Sequence, residues 1–192
     1  MVNALILDGS AASDKAASLA KKSLEEQLKA TGWQVDSVTL RDKQIAGCTS
    51  CFGCWLQTPG TCLVPDDGRE TTRLFIQSNL TIFLTPATFG GYSYELKKAI
   101  DRLLPNIMPY IGKFHGELHH TKRYKQYPNL ISIGTLPERD DEAEEIFRTL
   151  LEREAWSFHS PAIATGFAVQ GQSADTISAE VRRLLLKTGV SA

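Results

Sequence analysis

Apolar and polar positions follow two periods along this chain. Residues 2–7 are a nearly unbroken apolar run, the pattern of a strand buried on both faces, ending at the turn signal Asp8-Gly9-Ser10. A helix is predicted over 14–30, with Leu19, Ala20, Leu24 and Leu28 on one face, and Thr31-Gly32 closes it. Residues 33–40 alternate through Val35, Val38 and Leu40 as a second strand. After a long loop, Asp66-Asp67-Gly68 leads into a helix over 70–78, and a third strand runs over 80–85 to Pro86. A helix over 93–104 carries Leu96, Ile100, Leu103 and Leu104 inward, with Ser93 as its N-cap. Strands at 130–134 and 162–169 flank a helix over 140–158, whose inward positions are Ile146, Phe147, Leu150, Leu151 and Ala155. Its acidic start suits the positive end of the helix dipole. A last helix covers 174–187.

Five strands alternating with helices imply a parallel sheet covered on both faces. At this length the expected architecture is an α/β, flavodoxin-like, doubly wound five-stranded parallel sheet of order 2-1-3-4-5. Ligands of such sheets bind outside the carboxyl ends of the strands, where the order reverses between strands 1 and 3. The expected organisation is one domain over 1–192, with a cysteine-rich loop at about 46–66 and an insertion at about 105–128. No repeat or linker divides it.

Composition narrows the partners. The 192 residues are 42% hydrophobic and 22% charged, a globular mixture that excludes disorder and fibrous classes. Lys+Arg number 21 and Asp+Glu 22, so no bulk basic field draws nucleic acid or an anionic membrane. No apolar run approaches the roughly 18 residues of a transmembrane helix. The first ten residues lack the n- and h-regions of a signal peptide, and the expected location is the cytoplasm.

Two loops at the predicted ligand edge carry candidate chemistry. The segment 9–18 combines small residues and serines with a helix start, which suits a phosphate, although neither the dinucleotide fingerprint nor the Walker pattern is present. An N-capped helix start without a ligand is the alternative. The segment 85–93 joins Pro86, Gly90 and Gly91 to the flat side chains of Phe89 and Tyr92, which suits a planar heterocycle. The alternative is a glycine-rich loop with its aromatics in the core.

All four cysteines, Cys48, Cys51, Cys54 and Cys62, are bunched in one C-x2-C-x2-C-x7-C run. Disulfide staples would be scattered to close long loops, so this set reads as local ligands in a reduced compartment. Three thiolates at two-residue spacing, with a fourth after Pro59-Gly60, suit an iron–sulfur cluster or zinc. Free redox thiols are the third reading. Trp55 either shields this site or packs in the core, and Asp66-Asp67 cap the following helix.

The segment 106–127 is long for a connection and is broken by prolines. It holds His115, His119 and His120 among Lys113, Lys122, Arg123 and Lys125. Contact with nucleotide phosphates or a second subunit is one reading; a solvated loop is the default.

These segments together resemble the flavodoxin-like NAD(P)H-dependent FMN reductases, and especially the iron–sulfur flavoproteins among them. The family's opening G-S-P-R-x-x-[GS]-N-T loop is similar to 9–17. Its compact cysteine motif followed by two aspartates resembles Cys48 through Cys62 with Asp66-Asp67. Its S-P-x-Y-F block ending in L-K and D-R resembles Thr85-Pro86-Ala87-Thr88-Phe89-Gly90 with Leu96-Lys97 and Asp101-Arg102. The chain departs from the family at Ala11 and Ala12, where Pro and Arg are frequent, and at Ala16 and Ala17, where Asn and Thr are. Several phosphate hydrogen bonds are thereby lost, each worth about 1–3 kcal/mol when one partner is charged.

The resemblance implies non-covalent FMN, with NAD(P)H as hydride donor. Ser10, Ser13, Lys15 and the amides of Ala16 and Ala17 would hold the phosphate. Pro86, Ala87, Thr88, Phe89 and Gly90 would lie along the isoalloxazine ring, with Gly134 and Thr135 reaching it from the other side. Cys48, Cys51, Cys54 and Cys62 would ligate a [4Fe-4S] cluster. It implies no essential acid–base side chain, an acceptor that is a small molecule or a redox protein, and a homodimer or homotetramer. A cluster-free NAD(P)H:quinone or FMN reductase, and a flavin electron carrier without NAD(P)H activity, are the rival readings.

Overall fold

A computed structural model describes residues 2–190. In chain order the regular elements are β1 (Asn3–Asp8), α1 (Lys15–Ala30), β2 (Gln34–Thr39), α2 (Gly53–Leu56), α3 (Asp67–Gln77), β3 (Leu80–Pro86), α4 (Tyr94–Asp101), β4 (Ile107–Phe114), β5 (Glu117–Lys122), β6 (Asn129–Leu136), α5 (Asp141–Ser157), β7 (Ile163–Val169) and α6 (Ala174–Lys187). Five of the strands form one sheet in the order β2-β1-β3-β6-β7, every pair parallel. With β6 and β7 as the fourth and fifth sheet strands, this is the expected flavodoxin-like order, with the switch point between β1 and β3.

The two-sided burial of the central strands explains their unbroken apolar runs. In β1, Leu5 and Leu7 point into one core and Ala4 and Ile6 into the other. The first core takes Phe75 of α3, Leu96 and Ile100 of α4 and Phe147 of α5. The second is closed by Leu24 and Leu28 of α1 and Val181 and Leu184 of α6. Burying each of these large side chains contributes about 1.5–3 kcal/mol. Five helices start on side chains that cap their first turns: Asp14 accepts from the Ala17 amide, Asp66 from Gly68, Ser93 from Leu96, Asp140 from Ala143 and Ser173 from Thr176.

Three expectations change. The helix expected over 70–78 begins a turn earlier because Asp66 caps it. Ile146 is not inward: it is 48% exposed and packs against Gly90, where a Cβ would stand 2.4 Å from its Cγ2. Ile146 therefore covers the loop after β3, while its neighbour Phe147 turns inward onto Phe167 of β7. The segment 106–127, read by default as a solvated loop, contains the antiparallel β4–β5 hairpin. His115 and Gly116 turn it with φ of 50° and 82°, the left-handed pair that two-residue hairpin loops require. The His115 ring stacks on Trp156 of α5 at 4.7 Å. No described helix is long and apolar enough to cross a membrane.

Candidate functional site

The loops after β1, β3 and β6 meet at one edge of the sheet because their strands are neighbours in register. The Gly9 amide donates to the Leu84 carbonyl at 2.8 Å, and the Ala87 amide to the Thr135 carbonyl at 2.9 Å. A Cβ on Gly9 would stand 2.7 Å from Ser93 Oγ and 2.9 Å from Leu96 Cβ, so only glycine admits this approach of β1 to α4.

The loop after β3 is a small rigid turn. Thr88 and Gly91 exchange both backbone hydrogen bonds at 2.9 Å, and the Ser93 amide donates to Thr85 Oγ1 at 2.9 Å. Phe89 and Gly90 form the turn at φ of 50° and 73°. Phe89 is thus an aromatic residue in the left-handed region, with its ring fully in solvent at 102% exposure. It presents a bare apolar ring from a strained backbone position at this edge. The Phe89 and Gly90 amides have no partner among the described residues. Pro86 and Ala87 are half-buried beneath the turn, and Thr88 is exposed.

Gly134 and Thr135 divide in role. A Cβ on Gly134 would stand 2.9 Å from a Phe167 ring atom and 3.2 Å from a Phe147 ring atom. Gly134 thus answers to core packing behind the sheet. Thr135 is buried, and its hydroxyl donates to Asp14 Oδ2 at 2.6 Å.

The start of α1 is more occupied than the pattern suggested. Ser10 is buried, and its amide and hydroxyl both donate to Asp8 Oδ1, at 3.0 and 2.5 Å. Asp8 Oδ2 accepts from Lys21 Nζ at 3.1 Å, and Arg41 donates to the Ser10 carbonyl at 3.0 Å. Ser13 and Lys15 are both exposed to solvent. Ala16 and Ala17 are buried, in the second core. The Lys15 and Ala16 amides are unpaired among the described residues, whereas the Ala17 amide donates to Asp14 Oδ1 at 2.9 Å. Asp14 Oδ1 also accepts from Gln170 Nε2 at 2.7 Å.

The crevice therefore fits a flavin at its ring end, through the bare Phe89 face and the free amides of its turn. At the phosphate end two free amides fit, and a carboxylate stands beside them. Asp14 and Gln170 meet at this edge with no sequence signal that joins them. Asp14 reads as a plain helix cap in sequence, and Gln170 lies 156 residues from it.

The four cysteines are free of disulfides and line one cavity with Arg102. Cys48 and Cys51 are exposed and Cys54 is buried. Burial pushes the Cys54 thiol above its ordinary range, and its neighbours Cys62, Cys48 and Cys51 push it further. Left-handed residues Ser50 and Phe52 curl the loop, and Trp55 anchors it by donating from Nε1 to the Ile107 carbonyl at 2.9 Å. Trp55 also packs on the His120 ring at 4.9 Å, which ties the loop to the hairpin. In donor chemistry and shared cavity the thiols fit a cluster. They are not drawn to one centre: among the described residues no three His, Cys, Asp or Glu side chains converge as metal ligands.

Sheet order, switch point and the crevice at its edge define a flavodoxin-like α/β protein. The chain belongs to the NADPH-dependent FMN reductase family, whose model matches residues 2–119. It is 32% identical over 95 residues to an iron–sulfur flavoprotein of Archaeoglobus fulgidus, a match covering 48% of this chain and 42% of that protein. It is 31% identical over 74 residues to an iron–sulfur flavoprotein of Methanocaldococcus jannaschii, covering 38% and 37%. The matches thus span less than half the length of these relatives. Among solved structures, an FMN-dependent NADH-azoreductase from Bacillus anthracis in complex with FMN superposes with a TM-score of 0.66 at 12% identity, covering 96% of this chain and 99% of that one. An NAD(P)H:quinone oxidoreductase from Methanothermobacter marburgensis gives 0.68 at 12%, covering 95% and 96%. At such identity these two share the fold.

Proposed function

We propose that this chain binds FMN non-covalently at the carboxyl edge of its sheet and passes reducing equivalents from NAD(P)H to a quinone, flavin or iron–sulfur acceptor. The observation that carries this reading is the bare, left-handed Phe89 at the edge where the loops after β1, β3 and β6 meet. Family membership supports it. When bound, the flavin supplies hydride acceptance and the release of electrons singly or in pairs. The chain's own residues position it. Phe89 offers a ring face, and the Phe89 and Gly90 amides are free for the polar edge of a heterocycle. Pro86 and the Thr88–Gly91 hydrogen bonds keep that surface rigid, which lowers the ordering cost of binding. Ser13, Lys15 and the free amides of Lys15 and Ala16 face the phosphate end.

The finer reading assigns Cys48, Cys51, Cys54 and Cys62 to a [4Fe-4S] cluster. Their spacing, their shared cavity and the iron–sulfur flavoprotein relatives support it. The exposed apolar residues Tyr110, Ile111 and Leu118 of the hairpin support a homo-oligomer, dimer or tetramer, assembled through that ribbon.

An anaerobic visible spectrum of the purified protein, followed by addition of NADH or NADPH, tests the reading. Flavin absorption that bleaches on addition is expected. A colourless protein that FMN does not reconstitute would overturn it. A flavin reduced only by a ferredoxin-type donor would leave an electron carrier. Iron and acid-labile sulfide analysis tests the cluster: about four irons per chain are expected, and under about one with intact turnover leaves a cluster-free reductase.

A further inference from the structure

Part of the anion position at the head of α1 is taken by the chain itself. The Asp14 carboxylate receives three hydrogen bonds from three parts of the fold: the Ala17 amide at 2.9 Å, Gln170 Nε2 at 2.7 Å and Thr135 Oγ1 at 2.6 Å. The positive end of the α1 dipole adds to them. A helix cap needs only the first of these bonds. The other two come from the ends of β6 and β7, 121 and 156 residues away. A backbone N–H, a hydroxyl and a side-chain amide converging at a helix start form a donor set suited to the oxyanion of a phosphate monoester. The other side chain expected to serve a phosphate from within the core of this loop, Ser10, is committed to Asp8.

We propose that Asp14 is a specificity-determining residue: its carboxylate competes with a ligand's phosphate for the Ala17, Thr135 and Gln170 donors at the head of α1, so that the phosphate adds little beyond what the free Lys15 and Ala16 amides supply. This rests on the flavin reading above. FMN is then held mainly through its ring and ribityl chain, and a phosphate-free flavin binds nearly as well. A ligand phosphate gains Thr135 and Gln170 as donors only when Asp14 withdraws.

The test titrates the flavin-free protein with FMN and with riboflavin, read by quenching of flavin fluorescence, for the wild type, Asp14→Asn and Asp14→Ser. Asn and Ser both cap helices, so the start of α1 is retained. In the wild type the two affinities should lie within about tenfold. In the variants FMN should tighten by about tenfold or more while riboflavin stays within about threefold, as one additional charge-assisted hydrogen bond to the phosphate would produce. A wild type preferring FMN by over about a hundredfold, or variants that weaken FMN, would overturn the proposal.

A second measurement separates this proposal from the flavin reading. Thermal melting is compared in phosphate and in chloride of equal ionic strength, with inorganic phosphate as the probe. A phosphate-dependent rise in Tm for Asp14→Ser and none for the wild type supports the anion assignment. That result with no flavin bound by any form removes the flavin reading alone. Equal Tm in both salts for all three forms, with no tightening of FMN, makes Asp14 a helix cap and nothing more, and the proposal falls.

Discussion

The Arg102 guanidinium and the Asp66 carboxylate meet as a parallel fork, Nη1 to Oδ2 at 2.8 Å and Nη2 to Oδ1 at 2.7 Å, with Arg102 only 2% exposed. The pair staples the cysteine loop at both ends. Asp66 Oδ2 accepts from the Ala46 amide at 2.8 Å, and Arg102 Nη1 donates to the Ala46 carbonyl at 2.9 Å. Asp66 also caps α3 through the Gly68 amide. A Cβ on Gly68 would stand 2.9 Å from the guanidinium carbon, so glycine there makes room for the fork. Such a buried pair fixes geometry more than it adds stability, but removing one partner strands the other.

Arg102→Met should therefore cost about 3–5 kcal/mol in urea unfolding. Burial raises the Asp66 carboxyl, and Arg102 with the Ala46 and Gly68 amides more than reverses this, leaving it below its ordinary 3.8. A depressed folded value means that the contribution is full above 3.8 and is lost as pH falls below 3.8 through the folded value. Asp66→Asn should lower stability at neutral pH and flatten that acid limb. An unchanged acid limb would remove Asp66 as its source.

How far these residues were legible depends on sequence distance. The parallel sheet was readable because each central strand is buried on both faces and each helix carries one apolar stripe. Helix caps such as Ser93 and Asp66 were readable because their partners lie two or three residues on. The hairpin was not, since Pro109 and Gly112 interrupt β4, and β5 is the polar run ELHHTK. Ile146 sits beside the inward Phe147, but its side chain is taken by the loop after β3, which folds against it at Gly90. The partners of Asp14, contributed by Thr135 and Gln170, exist only through the order of the strands.

Gly134→Ala should destabilise the fold by about 1–3 kcal/mol through overpacking against Phe147 and Phe167. Flavin affinity per folded molecule should not change, because the added methyl points into the core. Urea unfolding and flavin titration on the same samples check both halves. A selective loss of flavin affinity would return Gly134 to the ligand face.

Phe89→Gly should show the reverse split. Its ring touches solvent and its φ is 50°, so glycine relieves strain of about 1–3 kcal/mol in the folded state, less the entropy it adds to the unfolded one. Stability should hold or rise while flavin affinity falls. Affinity equal to that of the wild type would deny Phe89 a role in ring binding.

His159 makes the hairpin sensitive to acid. Its Nε2 meets the His120 carbonyl at 2.7 Å and is the donor in that contact, which leaves Nδ1 buried without a partner. Phe114 and Tyr127 pack on the ring at 5.0 and 5.7 Å. Burial lowers its pKa below the ordinary 6.5; the His120 carbonyl works against this, and Lys122 and His119 reinforce it. With the folded value below the unfolded one, the unfolded chain binds the proton first. Stability from this group is full above pH 6.5 and is lost as pH falls from there through the folded value. Protonation at Nδ1 adds a buried, unpaired donor beside Lys122. Urea midpoints should drop as pH falls below 6.5, and amide exchange should quicken in β4 and β5 before the central sheet. His159→Asn keeps a side-chain donor and tolerates the left-handed φ of 54°. The variant should show a smaller drop over that interval than the wild type. Equal drops in the two proteins would place the acid sensitivity elsewhere.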